Sequence, residues 1–128
     1  MRNYIVDSCV WINSFSKGIN PDAISDLYDN NNLYTNNVVL SEIIPTARKK
    51  NEQLLIQTIS KAIKVPLSID WDEVSEIKYL CIKNGINDIG LLDIAIAQNA
   101  KQNNMGVFST DKHFKLLQKV YDFELKEQ

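Results

Sequence analysis

Four acidic side chains stand out in this sequence because of what surrounds them. Asp7 closes the apolar run Tyr4-Ile5-Val6, and Asp111 follows Gly106-Val107-Phe108-Ser109-Thr110. Asp93 lies inside Leu91-Leu92-Asp93-Ile94-Ala95-Ile96-Ala97-Gln98-Asn99-Ala100, which at helical period is apolar around nearly its whole circumference. Glu42 flanks the stripe formed by Val39, Leu40, Ile43, Ile44 and Ala47. A carboxylate taken out of water protonates, pairs or binds a cation. Oxygen-only donors select hard cations, Mg²⁺ or Mn²⁺, which keep several waters for a phosphate to displace. Such a site polarises a phosphodiester, activates water and stabilises the leaving oxygen. Each acid also has an ordinary explanation. Asp93 would answer a helix dipole, Asp111 would cap a helix, Asp7 would start a turn, and Glu42 would be a solvated helix side chain. Those explanations do not account for acids at the ends of two apolar strands and again inside an apolar helix.

The elements that must position these acids follow from periodicity. Asn3-Tyr4-Ile5-Val6 reads as a buried strand, followed by a helix through Trp11 and Phe15 that breaks near Lys17-Gly18. Pro21 opens a second helix with Ile24, Leu27 and Tyr28 as its stripe and Asn30-Asn31-Asn32 as its end. Leu33-Tyr34-Thr35 is the next strand. Asn37 is the expected cap of the helix carrying Glu42, with Pro45 kinking or loosening it. Residues 51–62 form an amphipathic helix, and a short strand is expected at 64–65. A helix beginning at Asp70 or Trp71 stops at Asn84-Gly85, and Asp88 is in place to cap the helix of Asp93. A strand at 106–110, a short helix through Phe114, Leu116 and Leu117, and an alternating edge strand at 121–125 complete the chain.

Strands alternating with helices predict an α/β fold with a mainly parallel sheet of four or five strands between helical layers. Ligands of such folds bind beyond the carboxyl ends of the strands. Asp7 and Asp111 belong to that edge. Asp93 comes from the helix feeding the strand that ends at Asp111, and Glu42 from the helix after the strand at 33–35.

The 128 residues are expected to form one domain, 1–128, with 45% hydrophobic and 23% charged residues typical of a globular chain. No apolar run approaches the roughly 20 residues of a membrane span. The start, Met-Arg-Asn-Tyr-Ile-Val-Asp, lacks a signal peptide's apolar region, so a cytoplasmic location is expected. Cys9 and Cys81 have no metal-ligand spacing and read as reduced thiols. A net charge of −2 argues against a uniformly basic coat but leaves room for local patches at Arg48-Lys49-Lys50 and at Lys112, Lys115 and Lys119. His113, the one histidine, is expected to face solvent. Trp11, Trp71, Tyr28 and Phe114 each fall within an apolar pattern and are expected in a core or interface. No Gly-rich phosphate loop is present.

Three stretches resemble the PIN domain family and, within it, the small VapC-type ribonucleases: Ile5-Val6-Asp7-Ser8-Cys9-Val10-Trp11, Leu40-Ser41-Glu42-Ile43, and the helix from Asp93 to Ala100 together with Ser109-Thr110-Asp111-Lys112-His113-Phe114. The resemblance covers nearly the full length. It implies a three-layer α/β/α fold and maps Asp7, Glu42, Asp93 and Asp111 onto an acidic quartet that binds Mg²⁺ or Mn²⁺ and cleaves RNA. Two positions depart from the pattern. Cys9 stands where the family usually has Ser or Asn, with Ser8 beside it, and Ser109 stands where it has Thr, with Thr110 adjacent. Ser109 keeps the hydroxyl; Cys9 implies a weaker or rewired contact to the carboxylates.

The expectation is therefore a metal-dependent endoribonuclease, a toxin restrained by a small antitoxin protein and paired as a homodimer. Two alternatives belong to other classes. One is a non-catalytic or weakly active PIN-like module that binds RNA or protein. The other is a hydrolase of small phosphate esters, disfavoured because Asp7 is followed by Ser8 and Cys9 and not by a second Asp.

Overall fold

The computed structural model describes residues 3–127, so the part of the leader reading that rests on Met1 and Arg2 lies outside the described residues. Five strands, β1 (Tyr4–Val6), β2 (Leu33–Thr35), β3 (Ile63–Lys64), β4 (Gly106–Phe108) and β5 (Leu125–Lys126), form one sheet in the order β3-β2-β1-β4-β5. Every pairing is parallel. Ile5, Val6, Val107 and Phe108 are buried, as strands covered on both faces require. Seven helices surround the sheet among the described residues: α1 (Ser8–Ser16), α2 (Ala23–Asp29), α3 (Asn37–Lys49), α4 (Gln53–Ile59), α5 (Trp71–Lys83), α6 (Leu91–Gln102) and α7 (Lys112–Leu117). Helices α1 to α4 pack on one another, α5 and α7 pack on α6, and α3 also reaches α6, consistent with a three-layer α/β/α arrangement.

The chain moves outward from β1 to β2 and β3, then returns to the other side of β1 with β4 and β5. Connections therefore diverge at β1 and β4, whose carboxyl ends deliver Asp7 and the 109–111 segment to one edge. The Asp7 N–H donates to the Phe108 carbonyl at 2.9 Å, extending the ladder into the turn. At the opposite end, Gly106 pairs with Tyr4 so closely that an added Cβ would stand 2.7 Å from the Tyr4 ring and 2.8 Å from Glu124 Cβ.

Asparagines punctuate the helices. Asn31, Asn51 and Asn104 follow α2, α3 and α6 with φ of 56°, 55° and 56°, the left-handed conformation that ends a helix and that asparagine tolerates. The cap of α3 is Asn36, one residue before the expected Asn37. Its Oδ1 accepts from the Val39 N–H at 3.0 Å while its Nδ2 donates to Asn99 Oδ1 at 2.9 Å. Asn99 donates in turn to the Pro66 carbonyl at 2.9 Å. A buried chain of amides therefore ties α3, α6 and the segment after β3, with each polar group paired as burial demands.

Other boundaries shift for local reasons. Asp88 is exposed and does not cap α6; Gly90 occupies that position. Helix α3 continues through Pro45, which sits on its exposed side. The helix expected over 51–62 shortens to 53–59, and the strand expected at 64–65 lies at 63–64. The last strand is Leu125–Lys126, not 121–125, because Phe123 is buried against Phe114 and the Tyr121 ring instead of joining the ladder. Trp11 and Phe114 are in the core as expected, whereas Trp71 and Tyr28 are exposed.

Candidate active site at the carboxyl edge of the sheet

The end of β1 turns directly into α1, so Asp7 is both the last extended residue and the N-cap of the helix. Its side chain does not cap. It is buried and held by polar groups from both sides: Ser109 Oγ donates to Oδ2 at 3.0 Å, and the Cys9 thiol and the Ser8 main-chain N–H also bond it. Burial nevertheless dominates and pushes its pKa up, with the nearby charge of Asp111 adding to the push.

Ser109 is the centre of this half of the site. Besides donating to Asp7, its Oγ accepts from the Asp111 N–H at 3.0 Å and lies 3.3 Å from Cys9 Sγ. Thr110 Oγ1 is 3.6 Å from the same sulfur. Burial raises the Cys9 pKa, and the Asp7 charge raises it further, so the group acts as a thiol donor and not as a thiolate. Asp111 does cap α7, its Oδ1 accepting from the His113 N–H at 2.9 Å, and His113 Nδ1 lies 3.3 Å from that oxygen. His113 is therefore turned toward the acids and not simply toward solvent.

Asp93 and Glu42 come from helices. Asp93 is the third residue of α6 and half-buried; it bonds the Gly90 main-chain N–H, the return half of a capping box. The dipole explanation is thus true of it, but incomplete. Its pKa is raised first by desolvation, then by Asp7 and Asp111, with His113 pulling the other way. Glu42 stands exposed on α3, with its carboxyl pushed up to about 7 by partial desolvation and then by Asp7, Asp93 and Asp111. All four expected acids therefore belong to one electrostatic group, drawn from two strand ends and two helices.

Does this group suit a cation? Three carboxylates pushed upward by desolvation first and then by neighbouring acids, Asp111 acting on each, have excess negative charge, and the donors are all oxygen, which is the chemistry of a hard divalent ion. Among the described residues no group of three or more His, Cys, Asp or Glu side chains stands in a ready-made metal-holding geometry. The donor set fits such an ion by chemistry and charge, with side-chain closure still to be made. Of the four acids, Asp111 lines an open cavity of about 320 Å³, together with Lys112 and Lys115. Lys115 pairs with Glu127 at 3.1 Å. The other basic run, Arg48, Lys49 and Lys50, lies exposed at the carboxyl end of α3, where cations answer the helix dipole.

The model of the PIN domain family matches residues 4–120. This chain belongs to the PIN domain family. PIN domains are generally nucleases and typically depend on divalent metal, and the family points to a nuclease role. Curated proteins contain no match to it. No helix among the described residues is long and apolar enough to cross a membrane.

Two features escaped sequence reasoning. His113 was placed by its position two residues beyond Asp111, but its orientation is set by the α7 turn that Asp111 itself caps. The Asn36–Asn99 bridge between the two acid-bearing helices had only one sequence signal, polar residues at positions otherwise flanked by apolar ones.

Proposed function

We propose that this PIN domain is a divalent-metal-dependent endoribonuclease of VapC type. The observation that supports this most strongly is the electrostatic union of Asp7, Glu42, Asp93 and Asp111 at the divergence point of a parallel sheet. In this reading the four carboxylates hold Mg²⁺ or Mn²⁺. The ion would supply Lewis-acid polarisation of a phosphodiester and acidify water at neutral pH.

The chain's own residues do the rest. Ser109 and Cys9 fix the Asp7 carboxylate, and Ser109 fixes the Asp111 main chain as well, so two acids keep one separation. Thr110 restrains the Cys9 sulfur. Asp93 is aimed by its Gly90 bond, and Glu42 closes from the solvent side, where its elevated pKa makes it the acid most readily protonated when no cation is near. Lys112, beside Asp111, offsets part of the repulsion that an RNA phosphate meets at an acidic rim, and Lys115 cancels the charge of Glu127 there.

Purified protein supplied with Mn²⁺ or Mg²⁺ should cut RNA internally. Asp7→Asn and Asp93→Asn should each lower cleavage by more than about 100-fold, beyond what loss of a supporting contact produces. Unchanged activity in both variants would overturn the assignment. A toxin role, with a small antitoxin protein as partner and the cytoplasm as location, is part of this proposal; an adjacent short reading frame whose product binds and inhibits the chain is the check. Homodimerisation is proposed too, supported by Trp71, Tyr79 and Ile82 standing exposed on α5, and sedimentation would test it.

A second reading is favoured by Cys9, whose sulfur contacts Ser109 and Thr110 at the place of the family's Ser or Asn. There the chain is a weakly active or non-catalytic module that binds RNA or protein. It predicts feeble Mn²⁺ binding by calorimetry.

A further inference from the structure

Beyond the acids, on the far side of Thr110, the structure has a second hollow. It is about 170 Å³ in volume and lies between α1 and the end of β4. Drug-sized ligands occupy sites of about 300–1,000 Å³, so this one suits a single small planar group. Its walls are of two kinds. Val10, Phe108 and Ile19 are apolar, while Asn13, Ser14 and Thr110 carry donors and acceptors. The Asn13 amide makes no side-chain hydrogen bond among the described residues, leaving a donor and an acceptor free in one plane. Ile19 is 54% exposed at the mouth and offers an apolar face to solvent.

Position gives this hollow its meaning. Thr110 and Glu127 line both it and the cavity at Asp111, so a continuous surface runs from the acids past Lys112 and Lys115 to Asn13. Glu127 would repel a nucleic acid, but Lys115 neutralises it at 3.1 Å. Thr110 also touches Cys9, which bonds Asp7, so the hollow begins within one residue of the acid-binding hydroxyls. Single-stranded RNA is read by splaying out unstacked bases, burying a face on apolar surface and bonding an edge to side chains. An amide that offers a donor and an acceptor together matches such an edge.

We propose that the α1–β4 hollow is a nucleobase subsite, holding one unpaired base of the strand whose phosphate lies at the acids, with Asn13 reading the base edge. The inference rests on the nuclease reading and deepens it. It makes base preference at one fixed distance from the cut a property of Asn13.

Two experiments test it. First, cleavage sites are mapped on an unstructured RNA pool with Mn²⁺. The native chain should favour one base at a fixed position. Asn13→Asp, which replaces the donor by a second acceptor, should change that preference and raise KM on the favoured sequence about 5- to 100-fold, leaving kcat little altered. Ile19→Ala, at an exposed position, should raise KM in the same way if Asn13→Asp does not fold. Preference and KM unchanged in these variants would overturn the proposal. Second, amide resonances are followed in EDTA while each of the four nucleoside 5′-monophosphates, or ribose 5-phosphate, is added. Shifts at Asn13, Ser14 and Thr110 that differ between bases and are missing with ribose 5-phosphate support it. Shifts elsewhere, or equal with ribose 5-phosphate, refute it. A native chain that cuts no RNA would overturn the nuclease reading, and the resonance experiment would still decide the subsite.

Discussion

Asp7 and Glu42 have the same functional group in the same electrostatic cluster, but they are held in opposite ways. Asp7 is buried at a strand end and bonded by Ser109, Cys9 and the Ser8 N–H. Glu42 projects from the solvent side of α3, and what acts on it is desolvation and the repulsion of three other acids. Asp93 lies between them, with one bond to Gly90. The difference teaches that half of the site is built by main-chain geometry and the other half by how helices are berthed. The strand-end acids are set as soon as β1 and β4 pair. The helix-borne acids depend on the contact between α3 and α6, and the buried amide bridge there is what fixes it.

Breaking that bridge should have the largest effect. Asn36→Ala removes the cap of α3 and leaves the Asn99 amide short of a partner, which should cost about 2–4 kcal/mol in urea unfolding. Asn36→Ser keeps a cap and loses the donor to Asn99 without burying a charge, so it should lie between the two. If Asn36→Ala unfolds like the native chain, the helix half is held by something other than this bridge.

The strand half is tested at Ser109. Ser109→Ala takes a donor from Asp7 and an acceptor from the Asp111 N–H and should lower cleavage about 10- to 100-fold. Ser109→Thr, which keeps the hydroxyl, should retain most of the activity. A loss in the threonine variant equal to that in the alanine variant would show that the hydroxyl is not the operative group.

Acidity separates the halves by another route. Asp7, Glu42 and Asp93 all hold protons in the folded chain that the unfolded chain would release, so without metal their contribution to stability is greatest at acidic pH. It should fall as pH rises from about 4.5, the ordinary value for Glu42, to about 7, its value in place. Glu42→Gln should flatten this slope and raise the metal-free melting midpoint at pH 8 by about 2–4 °C, an effect softened by the exposure of Glu42 to water. In the native chain Mn²⁺ should restore the lost stability. A metal-free midpoint independent of pH over this interval would mean that burial and mutual repulsion do not hold these acids up as described.

The smallest change is expected at Cys9. A hydroxyl is a stronger donor than a thiol, so Cys9→Ser should tighten the hold on Asp7 and raise cleavage about 2- to 10-fold in assays at saturating Mn²⁺. A fall would show that the sulfur is the better fit between Ser109 and Thr110.

Much of this was legible beforehand, and the reasons are physical. Strand ends are marked where an apolar run meets an acid, so Asp7 and Asp111 could be placed on one edge from local pattern alone. Asp93 was visible as a charge in an apolar helix. Glu42 had the weakest sign because an exposed acid on an amphipathic helix is ordinary; its membership depends on the packing of α3 against α6, a tertiary fact. Asn36 replaced Asn37 as the cap because either asparagine suits the role and only the turn geometry chooses. The last strand slipped toward the terminus because the alternation at 121–125 served an aromatic cluster and not a ladder.

Gly106 has a consequence at the other end of the same strand. Any side chain there must displace the Tyr4 ring or the Glu124 side chain just before β5, and Ser109 is three residues downstream on the same stiff segment. The gap between two carboxylates is therefore gauged some three residues away by a contact that touches no reacting atom. A substitution as mild as Gly106→Ala would act like a shim under one leg of an instrument, leaving every part intact and out of alignment.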